Sequence, residues 1–358
     1  MTIDIMKVLI ERTKDTDKII EKYIPRKYTE KDMEILAGKP RYKYNLEAST
    51  LSISDPIWDL LDRGGKRWRP AMMLMIIDAL GKNSVDYKDF SIIPEVIHNA
   101  TIVHDDIEDN SETRREKPCL HKIYGEDIAI NVGDGMFFLP IKVFMKHKEK
   151  LTKDQMIKLY EIYTQEMINV CLGQGMDISW HKGNANADKI TEAEYLQMCA
   201  YKTGCLARMS AKLGACLAGA DDKTIEKLGT LAESIGVAFQ IQDDILNLIG
   251  KEFKKGKGSV GEDVHEGKRT LMVVHTLSKA TEKDGKRLLE ILNMHTWDSI
   301  LITEAIELMK KYGAFDYAKM RAKQILEDAW KEAGALLKES QAKEELKAFA
   351  YFLIDREI

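Results

Sequence analysis

Proline and cysteine are both scarce in this sequence. Seven prolines in 358 residues leave long stretches uninterrupted, and proline is the residue that most readily breaks a helix. The five cysteines, at positions 119, 171, 199, 205 and 216, form no C-x-x-C pair and no zinc spacing. They read as reduced thiols, which excludes a disulfide scaffold or a structural zinc site and makes the cytoplasm the expected location. The net charge is only −4, too small to argue for nucleic acid or an anionic membrane as partner. The opening residues lack the apolar core of a signal peptide. The most apolar run, Ala71 to Leu80, is short and carries Asp78, so no stable membrane insertion is expected. No clear strand alternation occurs anywhere.

What remains is helical material. An apolar fraction of 44% is ample for a core, and 31% charged residues and 17 methionines suit amphipathic helices. The expectation is an all-α protein built of long helices.

Two stretches carry the chemistry. In HNATIVHDDIEDNSETRR an apolar run ends in Asp105, Asp106, Ile107, Glu108 and Asp109, followed by Arg114 and Arg115. Asp105 and Asp109 are four apart and share one helix face, one turn from each other. Acids at this density repel one another and favour a bound cation. The arginines supply forked donors suited to phosphate oxygens. Downstream, FQIQDDILN again places an acidic pair, Asp243 and Asp244, at the end of an apolar helical run. Either cluster alone reads equally as a solvated acidic face. Two in matching contexts, with lysines and arginines nearby, point to a site for Mg²⁺ and diphosphate, because Mg²⁺ takes a few carboxylates and leaves its other positions to water and phosphate.

The ordered set of motifs resembles the trans-isoprenyl diphosphate synthase (polyprenyl synthetase) family over roughly residues 50 to 330, and geranylgeranyl diphosphate synthases in particular. The landmarks are GGKRWRP from Gly64, DDIED from Asp105, YKTG from Tyr201, DDILN from Asp243 and EGKRT from Glu266. The resemblance implies a single all-α domain, a bundle of long helices around a deep central cavity, and a Mg²⁺-dependent, usually homodimeric enzyme. It would condense an allylic diphosphate (dimethylallyl, geranyl or farnesyl) with isopentenyl diphosphate. It implies that Asp105, Asp106, Asp109, Asp243 and Asp244 serve the metal, with the two acidic motifs facing each other across the cavity mouth. Lys66, Arg69, His98 and Arg115 would bind the homoallylic diphosphate. Arg114, Lys202, Thr203, Gln240, Lys257 and Lys268 would cradle the allylic one, with Lys254 or Lys255 as alternatives to Lys257. Gln174 and Asp177 would lie near the metals. Asn247 departs from the family's second motif, where an Asp is usual. Farnesyl or longer products (C25 and above) remain alternatives, as does a class I terpene cyclase, which would bind no isopentenyl diphosphate.

Along the chain, residues 1–45 read as an amphipathic N-terminal extension whose part from Arg26 to Asn45, near Pro25, Gly38 and Pro40, is expected to be irregular. Residues 46–358 read as the synthase domain. Ser54-Asp55-Pro56 looks like a helix start. Lys66 and Arg69, at i and i+3, are expected on one face of the helix after Gly64-Gly65. The glycine- and lysine-rich stretch from Gly250 to Gly267 looks like a lid over the diphosphates. Ala100 and Thr101, about one turn before Asp105, are small where short-chain members of the family carry bulky aromatics, so a growing tail would pass them.

Overall fold

The computed structural model describes residues 3–249 and 261–354. Lys257, its alternatives Lys254 and Lys255, and most of the expected lid lie outside the described residues. The all-helical expectation holds. Among the described residues the strand content is a single two-residue hairpin, Thr113–Arg114 against Lys117–Pro118, which the sequence pattern had not indicated.

The chain forms two compact units. One is drawn from Met1–Tyr160, Leu213–Ala220 and Glu339–Glu345, the other from Glu161–Lys212, Asp221–Lys338 and Leu346–Ile358. In the first unit the central helix is Ile92–Glu108, with Ile93, Val96, Ile97, Ala100 and Val103 buried. That is the i, i+3, i+4 stripe of a helix with one face to the core, and it runs directly into the first acidic motif. The helix packs against Glu126–Phe138. The chain continues through a 3₁₀ turn, Leu139–Ile141, to Lys142–Lys146. By length and composition alone, Glu126–Lys146 is apolar enough to cross a membrane, yet Val132, Met136, Val143 and Phe144 on it are buried in the protein.

The N-terminal extension is more regular than its composition suggests. Glu30–Ala37 is a helix, because Thr29 and Asp32 cap each other reciprocally at its start. Ser54-Asp55-Pro56 is not a free helix start either. The chain is already helical from Leu46 and passes a π-helical turn at Thr50–Ser54 into Asp55–Asp62; Pro56, which has no N–H to donate, directly follows that turn.

In the second unit the Asp222–Ile249 helix carries the second motif and packs along Ala314–Ala333. Its middle, from Glu233 to Gln240, also meets the π-helical turn Ala200–Gly204, which holds Lys202 and Thr203. Two glycines permit that approach: a Cβ on Gly236 would stand 2.8 Å from the Cα of Gly204.

Candidate active site

In the first unit, the Asp55–Asp62 helix stops before Gly64 and Gly65, both at positive φ. The next helix, Trp68–Ala79, begins later than expected, so Lys66 precedes it, exposed, and does not share a helical face with Arg69. Arg67 causes the offset. It takes a left-handed conformation (φ 47°) and points inward, donating from Nη1 to Glu95 Oε1 (2.7 Å) and from Nη2 to the Leu61 carbonyl (3.0 Å) and Asp17 Oδ1 (3.0 Å). Arg69 is buried beside the Trp68 ring.

Glu95 also accepts from Asn99 Nδ2 (2.9 Å), and Asn99 Oδ1 accepts from Arg115 Nη2 (3.1 Å). The Leu60 carbonyl takes the other arm of Arg115 (3.2 Å). Burial, with Arg67, Arg114 and Arg63 around it, lowers Arg115 to about 10, so it remains a cation at neutral pH. His98 is half-buried, and burial followed by the charges of Arg69, Arg115 and Arg67 holds its imidazole well below the usual histidine range. A neutral His98 among arginines makes a basic, hydrogen-bonding wall of the kind that receives phosphate. Arg67, Glu95, Asn99 and Asp17 were not singled out from sequence. Four charged or polar residues scattered over more than 80 positions leave no local pattern; only the buried Glu95 and Asn99 on an otherwise apolar helix face gave a signal.

The first acidic motif divides in two. Asp105 and Asp109 stand one turn apart, with Asp109 N–H on the Asp105 carbonyl (2.9 Å), and both side chains stay partly accessible. Asp106 is buried, and Oδ1 accepts from Arg114 Nε (2.8 Å) and Nη2 (2.5 Å). Burial raises its pKa against the pull of Arg114. Arg114, expected on the allylic diphosphate, thus has two of its donors on the motif itself. Ala100 is fully buried, whereas Thr101 is half-buried and donates to the His98 carbonyl (2.8 Å).

In the second unit, Lys153–His181 ends with Gln174 half-buried and Asp177 buried one turn on. Lys202 Nζ lies 2.6 Å from Asp177 Oδ2. Burial opposes ionisation of Asp177, but Lys202 and then Lys268 outweigh it and keep the carboxyl below its usual range. Gly173 makes this pairing possible: a Cβ there would stand 2.2 Å from the Lys202 backbone nitrogen.

The second motif splits as the first does. Asp243 is half-buried, while Asp244 is buried and accepts from Tyr195 OH (2.7 Å) and Gln240 Nε2 (2.7 Å). Gln240 Oε1 in turn accepts from Thr203 Oγ1 (2.8 Å). Burial, then the charge of Asp263, raises Asp244. Asp263 is raised by burial, with Lys268 opposing at 3.4 Å. Lys268 also pairs with Glu266. Asn247 is buried, and its side-chain oxygen accepts the Asp263 N–H (3.1 Å). Tyr195 and Asp263 were not identified from sequence, because neither lies inside a motif.

Among the described residues no three His, Cys, Asp or Glu side chains converge to hold a metal ion. Magnesium asks for less: one or two carboxylates, with phosphate and water completing the octahedron. Asp105 and Asp109 in the first unit, and Asp243 in the second, each keep partly accessible carboxylate oxygens, hard donors of that kind, so the residues of each motif fit the ion.

A model of the polyprenyl synthetase family matches residues 51–309, which include both acidic motifs. A short chain isoprenyl diphosphate synthase of Methanothermobacter thermautotrophicus is 36% identical over 299 residues, 83% of this chain and 88% of that protein. A geranylgeranyl diphosphate synthase of Saccharolobus solfataricus is 32% identical over 319 residues, covering 88% and 94%. Among solved structures, a geranylgeranyl pyrophosphate synthetase from Pyrococcus horikoshii Ot3 superposes with a TM-score of 0.80 at 32% identity, covering 98% of this chain and 99% of that one.

Proposed function

The chain belongs to the polyprenyl synthetase family, and from that premise we propose how its own residues divide the work of prenyl transfer. The reaction is head-to-tail: the first carbon of an allylic diphosphate is joined to isopentenyl diphosphate with loss of pyrophosphate. The observation that carries the reading is that each acidic motif keeps a carboxylate partly accessible while locking its neighbour to the protein.

In this reading Asp105 and Asp109, and likewise Asp243, would hold Mg²⁺, which would offset the charge of the leaving pyrophosphate. Lys202 and Lys268 add mobile cations to that leaving group. Lys66, Arg69 and Arg115, with neutral His98 as a hydrogen-bonding partner, bind the diphosphate of isopentenyl diphosphate. Asp106 and Asp244 act as anchors that fix the orientation of each motif. The departed pyrophosphate accepts the final proton, so no side chain is assigned as base.

The product is taken to be the twenty-carbon geranylgeranyl diphosphate, because the side chains of Ala100 and Thr101 on the Ile92–Glu108 helix are small. Relatives named for that product support this. A homodimer is the proposed assembly. Large apolar side chains stand exposed on Glu126–Phe138 (Ile130, Phe138) and on Lys153–His181 (Ile157, Ile168, Leu172), which supports an interface with a second copy. Five free thiols suit a reducing compartment, which is the basis for placing the enzyme in the cytoplasm.

Incubation with labelled isopentenyl diphosphate, with and without each allylic primer, tests the reading. Label incorporated into a twenty-carbon diphosphate, dependent on both primer and Mg²⁺, is expected. Conversion of an allylic diphosphate to hydrocarbon without incorporation would identify a cyclase instead.

A further inference from the structure

The turn that carries Arg115 takes a conformation its residues do not favour. Arg115 and Glu116 join the strands Thr113–Arg114 and Lys117–Pro118, and both take left-handed φ (53° and 64°). Asn-Gly suits such a two-residue turn, because glycine has no Cβ and asparagine tolerates that region, whereas arginine and glutamate are strained in it. Strain of this kind persists only where the surroundings enforce it. Arg63 holds the backbone: its Nη1 donates to the carbonyls of Arg114 (3.1 Å) and Pro118 (2.9 Å), on either side of the turn.

The side chain of Arg115 is held separately. Its Nη1 donates to the Leu60 carbonyl and its Nη2 to Asn99 Oδ1. The guanidinium lies beside Gly65, where an added Cβ would stand 3.4 Å from Nη2. Asn99 is 0% exposed, and only one orientation of its amide satisfies its neighbours. Nδ2 donates to the Glu95 carbonyl (2.8 Å) and to Glu95 Oε1 (2.9 Å), which turns Oδ1 toward Arg115. The reverse orientation would set N–H against a guanidinium and oxygen against a carboxylate. Glu95 is itself fixed, since Oε1 also accepts from Arg67 Nη1 (2.7 Å).

We infer that Asn99 is a positioning residue: locked by Glu95, it sets the direction in which Arg115 presents its other N–H donors to the diphosphate of isopentenyl diphosphate. The inference rests on the role proposed above for Arg115 on that diphosphate. Arg115 is half-buried, so it is partly open to a ligand. Holding the guanidinium in advance removes an ordering cost from binding, and losing that hold weakens one substrate selectively.

Steady-state kinetics of the full-length enzyme test it, with Mg²⁺ and geranyl diphosphate saturating and isopentenyl diphosphate varied. Asn99→Leu removes the acceptor at similar volume, and Asn99→Ala removes it while leaving space. Whichever variant keeps the native circular dichroism should raise KM for isopentenyl diphosphate about tenfold, the factor that one charge-assisted hydrogen bond gives. Its kcat and its KM for geranyl diphosphate should change little, which a general disturbance of the fold would not produce. Arg115→Ala should raise KM for isopentenyl diphosphate further. Adding Asn99→Ala to Arg115→Ala should cost nothing more, because both act through one guanidinium. A folded Asn99 variant with native KM overturns the inference. So does an Asn99→Ala effect that is as large with Arg115→Ala as without it. An Arg115→Ala enzyme with native KM would strike the reading that Arg115 binds this diphosphate, and the inference with it.

Discussion

Arg114 closes on Asp106 and stands off Asp105: its Nη2 is 2.5 Å from Asp106 Oδ1 but 3.9 Å from Asp105 Oδ2. One arginine therefore separates two adjacent carboxylates into an anchor and an accessible ligand. Asp105→Asn should lose turnover by roughly a hundredfold or more with its thermal midpoint little changed, since it removes a carboxylate proposed to hold the Mg²⁺ that offsets charge on the leaving group. Asp106→Asn should destabilise by about 2 kcal/mol, because a charge-assisted hydrogen bond is weakened in a buried setting. Paired kinetics and thermal melts check this. An Asp106→Asn protein as stable as the native one would contradict the anchor.

Two glycines on one helix give opposite expectations. Gly173→Ala should destabilise by about 1–3 kcal/mol through overpacking and raise KM for the allylic substrate, since its Cβ would meet Lys202 backbone at 2.2 Å. Gly175 has nothing within 4 Å of an added Cβ, so Gly175→Ala should stabilise by about 0.5–1 kcal/mol through helix propensity. Denaturant melts and steady-state kinetics of both variants decide it, and equal behaviour would refute the close contact.

Asn247 is tied to backbone, accepting from Asp263 N–H through its side chain and from Gly261 N–H through its carbonyl. Asn247→Ala should cost about 1–2 kcal/mol in stability and far less turnover than Asp243→Ala. Equal losses of activity would show instead that Asn247 serves the metal directly.

Burial raises Asp244 and Asp263 above the ordinary carboxylate range, with the charge of Asp263 adding to the first and that of Glu266 to the second. The native state therefore keeps protons that the unfolded chain releases from about pH 4 upward, so this contribution to stability is present in acid and lost as pH rises toward neutrality. The thermal midpoint of the metal-free protein should be higher near pH 5 than near pH 8 on this account, and Asp244→Asn should flatten the slope. An unchanged slope in the variant would remove Asp244 as its source.

Chain length can be tested at two neighbouring positions with different surroundings. Ala100 is fully buried and Thr101 half-buried. Ala100→Phe should shorten the main product to fifteen carbons at an overpacking cost of about 1–3 kcal/mol. Thr101→Phe should shorten it at lower cost. Chromatography of the products settles the matter: unchanged products at a normal rate from both variants would place the floor of the tunnel elsewhere.

Local spacing was enough to determine the helices that carry the two acidic motifs and the positions of the motifs. The i, i+4 placement of Asp105 and Asp109 and the apolar periodicity before them need only the geometry of one helix. The capping pair that makes Glu30–Ala37 helical was also in the sequence, but it was outweighed by the neighbouring Pro and Gly residues. Which carboxylate of each Asp-Asp pair turns inward was not legible, because the deciding partners are remote: Arg114 is 8 residues from Asp106, and Tyr195 is 49 from Asp244. The position of Lys66 ahead of its helix has the same cause. Arg67 is drawn into a left-handed turn by Asp17, 50 residues before it, and Glu95, 28 after it. Side-chain pattern fixes a helix one turn at a time, whereas the direction of a buried charge is set by whichever opposite charge the tertiary structure brings within hydrogen-bond reach.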